Sequence, residues 1–287
     1  MRWALLIGLV PSISLAGAPL IVAEMKVPQY REAVTALMHQ VPDAVQVDPG
    51  QVTAEQVNNA SLVVPVGQKA YTQVRSIAPS AVVVFSMVLG ATSAMSTASV
   101  TGVPLEVDAT GVLKLIKAIS PKFRRVGVIY DSKTAQLVID EAQKAAASVG
   151  VTIVTKSVAS PVEVRDALSS LAGSIDVLWL PADPKLFPKE LVSFLLGFAA
   201  ERNLPLVGFL DAFTQAGALA SVSPDYVDIG EQTGRLVAEI LARPDGKRLP
   251  VPALRYSSGK LTLNKSTAKA LGIEVPDAVI AKAKQVY

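Results

Sequence analysis

Short apolar runs alternate with longer stretches of helical period along almost the whole chain. Pro19–Ala23 is the first run, and Tyr30–Met38 follows with Ala33, Val34, Leu37 and Met38 on one face. Apolar runs recur at Ala60–Val66, Ala81–Phe85 and Thr101–Val103. Helical spacing recurs through Tyr71, Val74 and Ile77, and again over Gly111–Ile119. The pattern then restarts. Arg125–Tyr130, Val151–Val154, Val177–Leu180, Leu206–Phe209 and Ala218–Val222 read as strands. Thr134–Ser148, Val162–Leu171, Leu191–Arg202 and Asp228–Arg243 read as helices, and Phe213–Gln215 has room for one turn at most.

Strands that alternate with helices imply βαβ units and a parallel sheet. Runs that are apolar throughout suit strands covered on both faces. Two such series in one chain predict an α/β fold of two doubly wound parallel-sheet lobes. Periodicity is weakest over Met95–Asp108, where the first crossing between lobes is expected.

A length of 287 residues suffices for two domains, and 51% hydrophobic against 18% charged residues suits a well-buried globular chain. The net charge of +3, with no basic run, gives no case for a nucleic-acid partner. There is no cysteine, which excludes disulfides, thiolate metal sites, a cysteine nucleophile and a lipoprotein anchor. Residues 1–16 stand apart. Arg2 precedes an apolar run, Trp3–Leu15, that is too short to span a bilayer at about 20 residues. Ser14-Leu15-Ala16 then offers small residues where a signal peptidase reads them. This resembles a secretory signal peptide, with a mature, soluble, periplasmic chain beginning near Gly17. The plain alternative is a first buried strand or helix.

Chemistry concentrates at strand ends. In open parallel sheets, ligands bind beyond the carboxyl ends of the strands. Several strands here end in small or polar residues: Gly67-Gln68, Ser86, Asp131-Ser132, and Asp183 in "DVLWLPADP". Each could also cap the next helix or shape a turn. For any one position that is the plainer reading, whereas the set points to a shared cleft. Catalytic patterns are missing. The one histidine, His39, falls near a helix end, and no HExxH, Gly-x-Ser-x-Gly, GxGxxG or Walker A sequence occurs. No metal, cofactor or catalytic residue is therefore assigned. Asp131 and Asp183 could still pair as carboxylates, which keeps an exported α/β enzyme as an alternative.

Four blocks carry a family resemblance: "RRVGVIYDSKTAQ" (124–136), "DVLWLPADP" (176–184), "GALASVSPDYVDIGEQTGRLVAEIL" (217–241) and "LTLNKSTAKALGIEVP" (261–276). In this order they resemble the bacterial ABC-transporter substrate-binding proteins of the tryptophan/tyrosine-binding type. "VVVFSMVL" (82–89) and "TGVPLEVDA" (101–109) are similar to first-domain segments of that family, while "ATSAMSTASV" (91–100) replaces its Pro-Gly-Gly-Asn-like run.

The resemblance implies a type I periplasmic binding protein, not an enzyme: two α/β lobes, joined by three crossings, that close on a small solute by hinge motion. It implies a membrane permease as partner and a monomer as the working form. The lobes are expected at 17–104 with 223–256, and at 105–222 with 257–287. An amino acid, often aromatic, is the ligand class that relatives suggest. Gln68, Ser86 and Ser132 are then candidate donors to its carboxylate, with Gly67 and Asp131 beside them. Asp183 or Asp225 would accept from its ammonium. Tyr30 and Phe209 could stack on a ring, against plain readings of helix packing and strand-end core. A ligand-sensing subunit of a signalling system uses the same fold, and neighbouring genes would separate the two roles.

Overall fold

The computed structural model describes residues 17–91, 95–183, 185–244 and 250–287. The expected leader, Pro184, and Thr92–Ala94 of the divergent loop lie outside the described residues.

Five parallel strands form the first sheet: β1 (Leu20–Val22), β2 (Val45–Val47), β3 (Val63–Pro65), β4 (Val83–Val88) and β5 (Val100–Pro104), in the order β2-β1-β3-β4-β5. Seven strands form the second: β6 (Arg125–Asp131), β7 (Thr152–Val158), β8 (Val177–Trp179), β9 (Leu206–Gly208), β10 (Ala220–Ser223), β11 (Lys260–Leu263) and β12 (Gln285–Val286). Their order is β12-β11-β10-β9-β8-β6-β7, parallel except for the β10–β11 pair. From β7 to β10 the second sheet repeats the strand order of the first. Each sheet therefore has a switch point where the winding reverses, between β1 and β3 in one and between β6 and β8 in the other.

The helices are α1 (Pro28–Gln40), α2 (Ala54–Asn59), α3 (Gln68–Ile77), α4 (Ala109–Ile119), α5 (Ser132–Val149), α6 (Val164–Leu171), α7 (Lys189–Glu201), α8 (Asp211–Gln215), α9 (Tyr226–Leu241), α10 (Lys265–Ala270) and α11 (Asp277–Ile280). Side chains alternate across each strand, so each sheet buries both faces. In the first sheet Ile21, Val64 and Val84 pack under α1 and α9, while Val63, Val83 and Phe85 pack on the face that takes Val57 of α2 and Ala70 and Val74 of α3. In the second sheet Val126, Val128 and Val177 meet Leu113 and Ile116 of α4 and Ile139 of α5. Ile129, Leu178 and Leu206 meet Leu168 of α6 and Leu195 of α7. Each fully buried aliphatic side chain contributes roughly 1.5–3 kcal/mol. The doubly wound α/β fold expected from the alternation is thus present.

Three short strands do not follow from the pattern. β2 is largely exposed, so it offers no apolar run. β11 and β12 extend the second sheet beyond its parallel part, and β12 is exposed.

The chain passes between the sheets three times. It leaves β5 for α4 through Leu105–Asp108, and leaves β10 for α9 through Pro224-Asp225. It returns from α9 to β11 through residues 250–259. Although α9 follows a strand of the second sheet, it packs on α1 and the first. Gly230 makes that approach possible, since a Cβ there would sit 2.1 Å from the Ala33 carbonyl oxygen. The first and third crossings run side by side, with Val107 bridged to Ser257 and the Arg255 amide donating to the Gly102 carbonyl at 3.1 Å.

Candidate functional site

The strand-end residues expected to share a cleft divide into those with local duties and those lining a common space. Asp131 caps α5 by accepting from the Lys133 amide at 2.8 Å, and Ser132 is the exposed first residue of that helix. Asp225 caps α9 in the same way, accepting from the Asp228 amide at 3.2 Å. Such caps satisfy amides that a helix start leaves without carbonyl partners.

Asp183 is 4% exposed, and both of its oxygens are engaged. Oδ1 accepts from the amides of Lys185 (3.1 Å) and Leu186 (2.9 Å), and Oδ2 from the hydroxyl of Thr134 (2.5 Å). The turn reading accounts for these bonds, and the ammonium-acceptor role expected of Asp183 would compete with them for the same two oxygens. Asp131 and Asp183 do not pair with each other. Thr134 stands between them, its hydroxyl also lying 3.3 Å from the Asp131 carbonyl oxygen.

In the first sheet, the Ser86 side chain is fully buried and its oxygen accepts from the Thr233 hydroxyl of α9 at 3.1 Å. It stitches α9 to β4, and its donor role towards a solute has no exposed surface to act through. Gly67 and Tyr30 are neighbours. Gly67 takes a φ of +83° ahead of α3, and a Cβ on it would lie 2.3 Å from the Tyr30 hydroxyl. Only glycine fits a turn that is both left-handed and covered by a ring. Gln68 is exposed and donates to Thr72 at 3.3 Å. His39 is exposed in the last turn of α1.

Phe209 packs against Phe213 and Phe187, with ring centroids 5.0 and 6.2 Å away, and is 7% exposed. It also lines a small cavity at the carboxyl edge of the second sheet. Its walls include Trp179 at the end of β8, Pro181 and Ala182 after it, Val222 of β10, Pro224 of the second crossing, Thr134 and Val138 of α5, and Glu106 of the first crossing. The cavity holds about 40 Å³. A broader open groove of about 980 Å³ runs beside α4, between exposed Lys114, Lys282 and Lys284. It lies over the outer strands β10 and β11, away from the switch point where ligands of this architecture sit.

Glu106 is the residue that the strand-end reasoning missed. Its Oε1 accepts from the Gly90 amide, whereas Oε2 is buried with no partner. Gly90 is brought there by an irregularity in β4: the register with β5 shifts between Ser86 and Val88, and Met87 adopts a φ of 57°. A bulge of this kind redirects the end of a strand. Burial pushes the Glu106 carboxyl up to about 7, the Gly90 amide offsetting part of the rise and the nearby Glu141 carboxylate adding to it. Glu141 on α5 is itself raised by burial and by Asp108, and burial and Glu141 raise the Tyr256 phenol, which donates to Glu141 at 3.5 Å. The crossings and α5 therefore converge on an acidic, partly desolvated junction. At the rim, Lys260 of β11 reaches Glu32 of α1 at 3.9 Å, a contact between the two sheets' layers.

The likeness to known proteins is consistent over the chain. The family described as ABC transporter substrate binding protein matches residues 46–287. A tyrosine-binding protein of Clostridioides difficile is 30% identical over 173 residues, 59% of this chain and 48% of that protein. The chain thus spans about half the length of the curated relative it matches. Among solved structures, a domain from Streptococcus pneumoniae in complex with L-Trp is 22% identical with a TM-score of 0.60, covering 96% of this chain and 100% of that one. A ligand-free, open substrate-binding protein with adhesive properties from Clostridium difficile is 20% identical with a TM-score of 0.69, covering 94% and 98%. These two structures share the fold.

Proposed function

The chain belongs to the family of ABC transporter substrate-binding proteins, and we propose from that premise that it is the periplasmic solute-capturing component of an ABC importer. It is a binding protein and not an enzyme. The single observation that carries the capture site is the cavity between Glu106, Thr134, Trp179 and Phe209. It lies at the carboxyl edge of β8 and β9, against two of the three crossings. A solute there touches the second lobe and the hinge together. Lobes at 17–104 with 223–256, and at 105–222 with 257–287, would then close around it as a monomer, and the closed form would dock on a membrane permease.

The cavity supports the hinge as well. Ligand sites for small organic molecules measure roughly 300–1,000 Å³, so about 40 Å³ holds no amino acid until the lobes part. The ligand proposed is an amino acid with an aromatic side chain. The relatives' named ligands, tyrosine and L-Trp, point that way, and the aromatic residues Trp179 and Phe209 line the cavity. Among the described residues no helix is long and apolar enough to cross a membrane, in keeping with a chain that works beside a permease. A thermal-shift screen of small metabolites tests the reading. A true solute raises the melting temperature with concentration, because it binds the folded form alone. A screen in which no metabolite does so contradicts it.

A further inference from the structure

Building on the cleft as a solute site, we propose that Glu106 sets the ligand class: the solute carries a protonated amine, and its ammonium group meets Oε2 of Glu106. Five observations converge on that atom. Glu106 is 9% exposed, and Oε2 has no partner. A buried acceptor without a donor is costly, and the Gly90 amide on Oε1 holds the carboxylate in place. Among the described residues Glu106 has no ion-pair partner. The titratable groups around it are acidic: Glu141 on α5, Asp108 at the head of α4, and Tyr256 on the third crossing. A cationic guest would relieve that arrangement and an anionic one would aggravate it.

Size and walls agree. A water molecule's share of liquid volume is about 30 Å³. A cavity of about 40 Å³ therefore seats a group the size of an ammonium. Val112, Trp179, Pro181, Ala182, Phe209 and Val222 keep the surroundings apolar, which strengthens attraction between opposite charges. The rest of the solute occupies the space between the lobes, which part to admit it and then close on it.

The chemistry has a proton consequence. Burial lifts the Glu106 carboxyl to about 7, so near neutrality the empty site is partly protonated. An ammonium needs the carboxylate, and the proton leaves Glu106 for solvent as the amine arrives. Affinity for an amine that stays charged should fall about tenfold per pH unit below 7.

Calorimetry with protein amino acids, their decarboxylated amines and their deaminated acids tests this at pH 6 and pH 8, in buffers of different ionisation enthalpy. Every binder should carry an amine, bind roughly tenfold more weakly at pH 6, and release protons to the buffer at pH 6. Glu106→Gln should lose at least about tenfold in affinity at pH 8 together with the pH dependence, while Glu106→Asp keeps a pH dependence. A deaminated acid that binds as tightly as its amino parent overturns the inference. So does a Glu106→Gln protein with unchanged affinity and pH profile, or an amine-free solute as the hit of the metabolite screen. Each of these leaves solute capture standing. The absence of any binder in both the panel and the screen removes the two readings together.

Discussion

The loop after β8 and the first crossing each bury a carboxylate at the carboxyl edge of the second sheet, and the two are opposites. Asp183 accepts from two amides and the Thr134 hydroxyl, with both oxygens engaged. Glu106 has one amide and one bare oxygen. An acid with both oxygens engaged by its own loop and a neighbouring helix holds structure and has less left for a guest. An acid left half-satisfied in an apolar pocket weakens the empty protein and is open to a partner. Position at a strand end does not separate the two cases; the count of partners does.

The largest expected effect is on Glu106, and it runs towards stability. An unfolded Glu titrates at 4.5, against about 7 in the fold. Below the lower value both states hold the proton. As pH rises between the two values the unfolded chain loses its proton first, so stability falls, and above about 7 the loss is complete. A separation of that size corresponds to about 3 kcal/mol. Glu106→Gln should therefore gain about 3 kcal/mol over the parent between pH 4 and pH 8, read from urea denaturation of both proteins. A gap that stays constant with pH would break the contrast with Asp183.

Asp183→Ala should go the other way by about 2 kcal/mol, since it strands two loop amides and a hydroxyl. Asp183→Asn should cost less, because an amide oxygen still caps. The same denaturation measurement reads both. An Asp183→Ala protein as stable as the parent would show that the turn does not depend on this acid.

The smallest effect is on the link between the two sites. Thr134 donates to Asp183 and lines the cavity beside Glu106. Thr134→Val keeps its shape and removes the hydroxyl, for a loss of about 1 kcal/mol. The loss should vanish in an Asp183→Ala background, and a double-mutant cycle measures that coupling.

These contrasts also mark what the sequence makes legible. The α/β architecture is written in runs such as Arg125–Tyr130 and Val177–Leu180, whose apolar residues serve both faces of a sheet. β2 is not, because Val45 and Gln46 are exposed and its pairing comes from β1 alone. At the site, the strand-end rule points to the same sheet edge as the proposed cavity, which Phe209 lines. It could not tell a cap from a ligand group, since Asp131, Asp183 and Asp225 cap or turn with the same atoms a solute would use. Ser86 fell to a long-range partner, Thr233, invisible at 147 positions' separation. Glu106 did carry a signal: a lone acid between Leu105 and Val107, in a crossing otherwise apolar up to Asp108. Its significance comes from burial, which only the folded crossing reveals.

The central claim is that a solute is held between two lobes that close on it. Small-angle scattering of the ligand-free protein and of the protein saturated with a solute from the thermal screen addresses that most directly. The account predicts a smaller radius of gyration with solute than without it. Identical profiles, with a solute proven to be bound, would contradict closure.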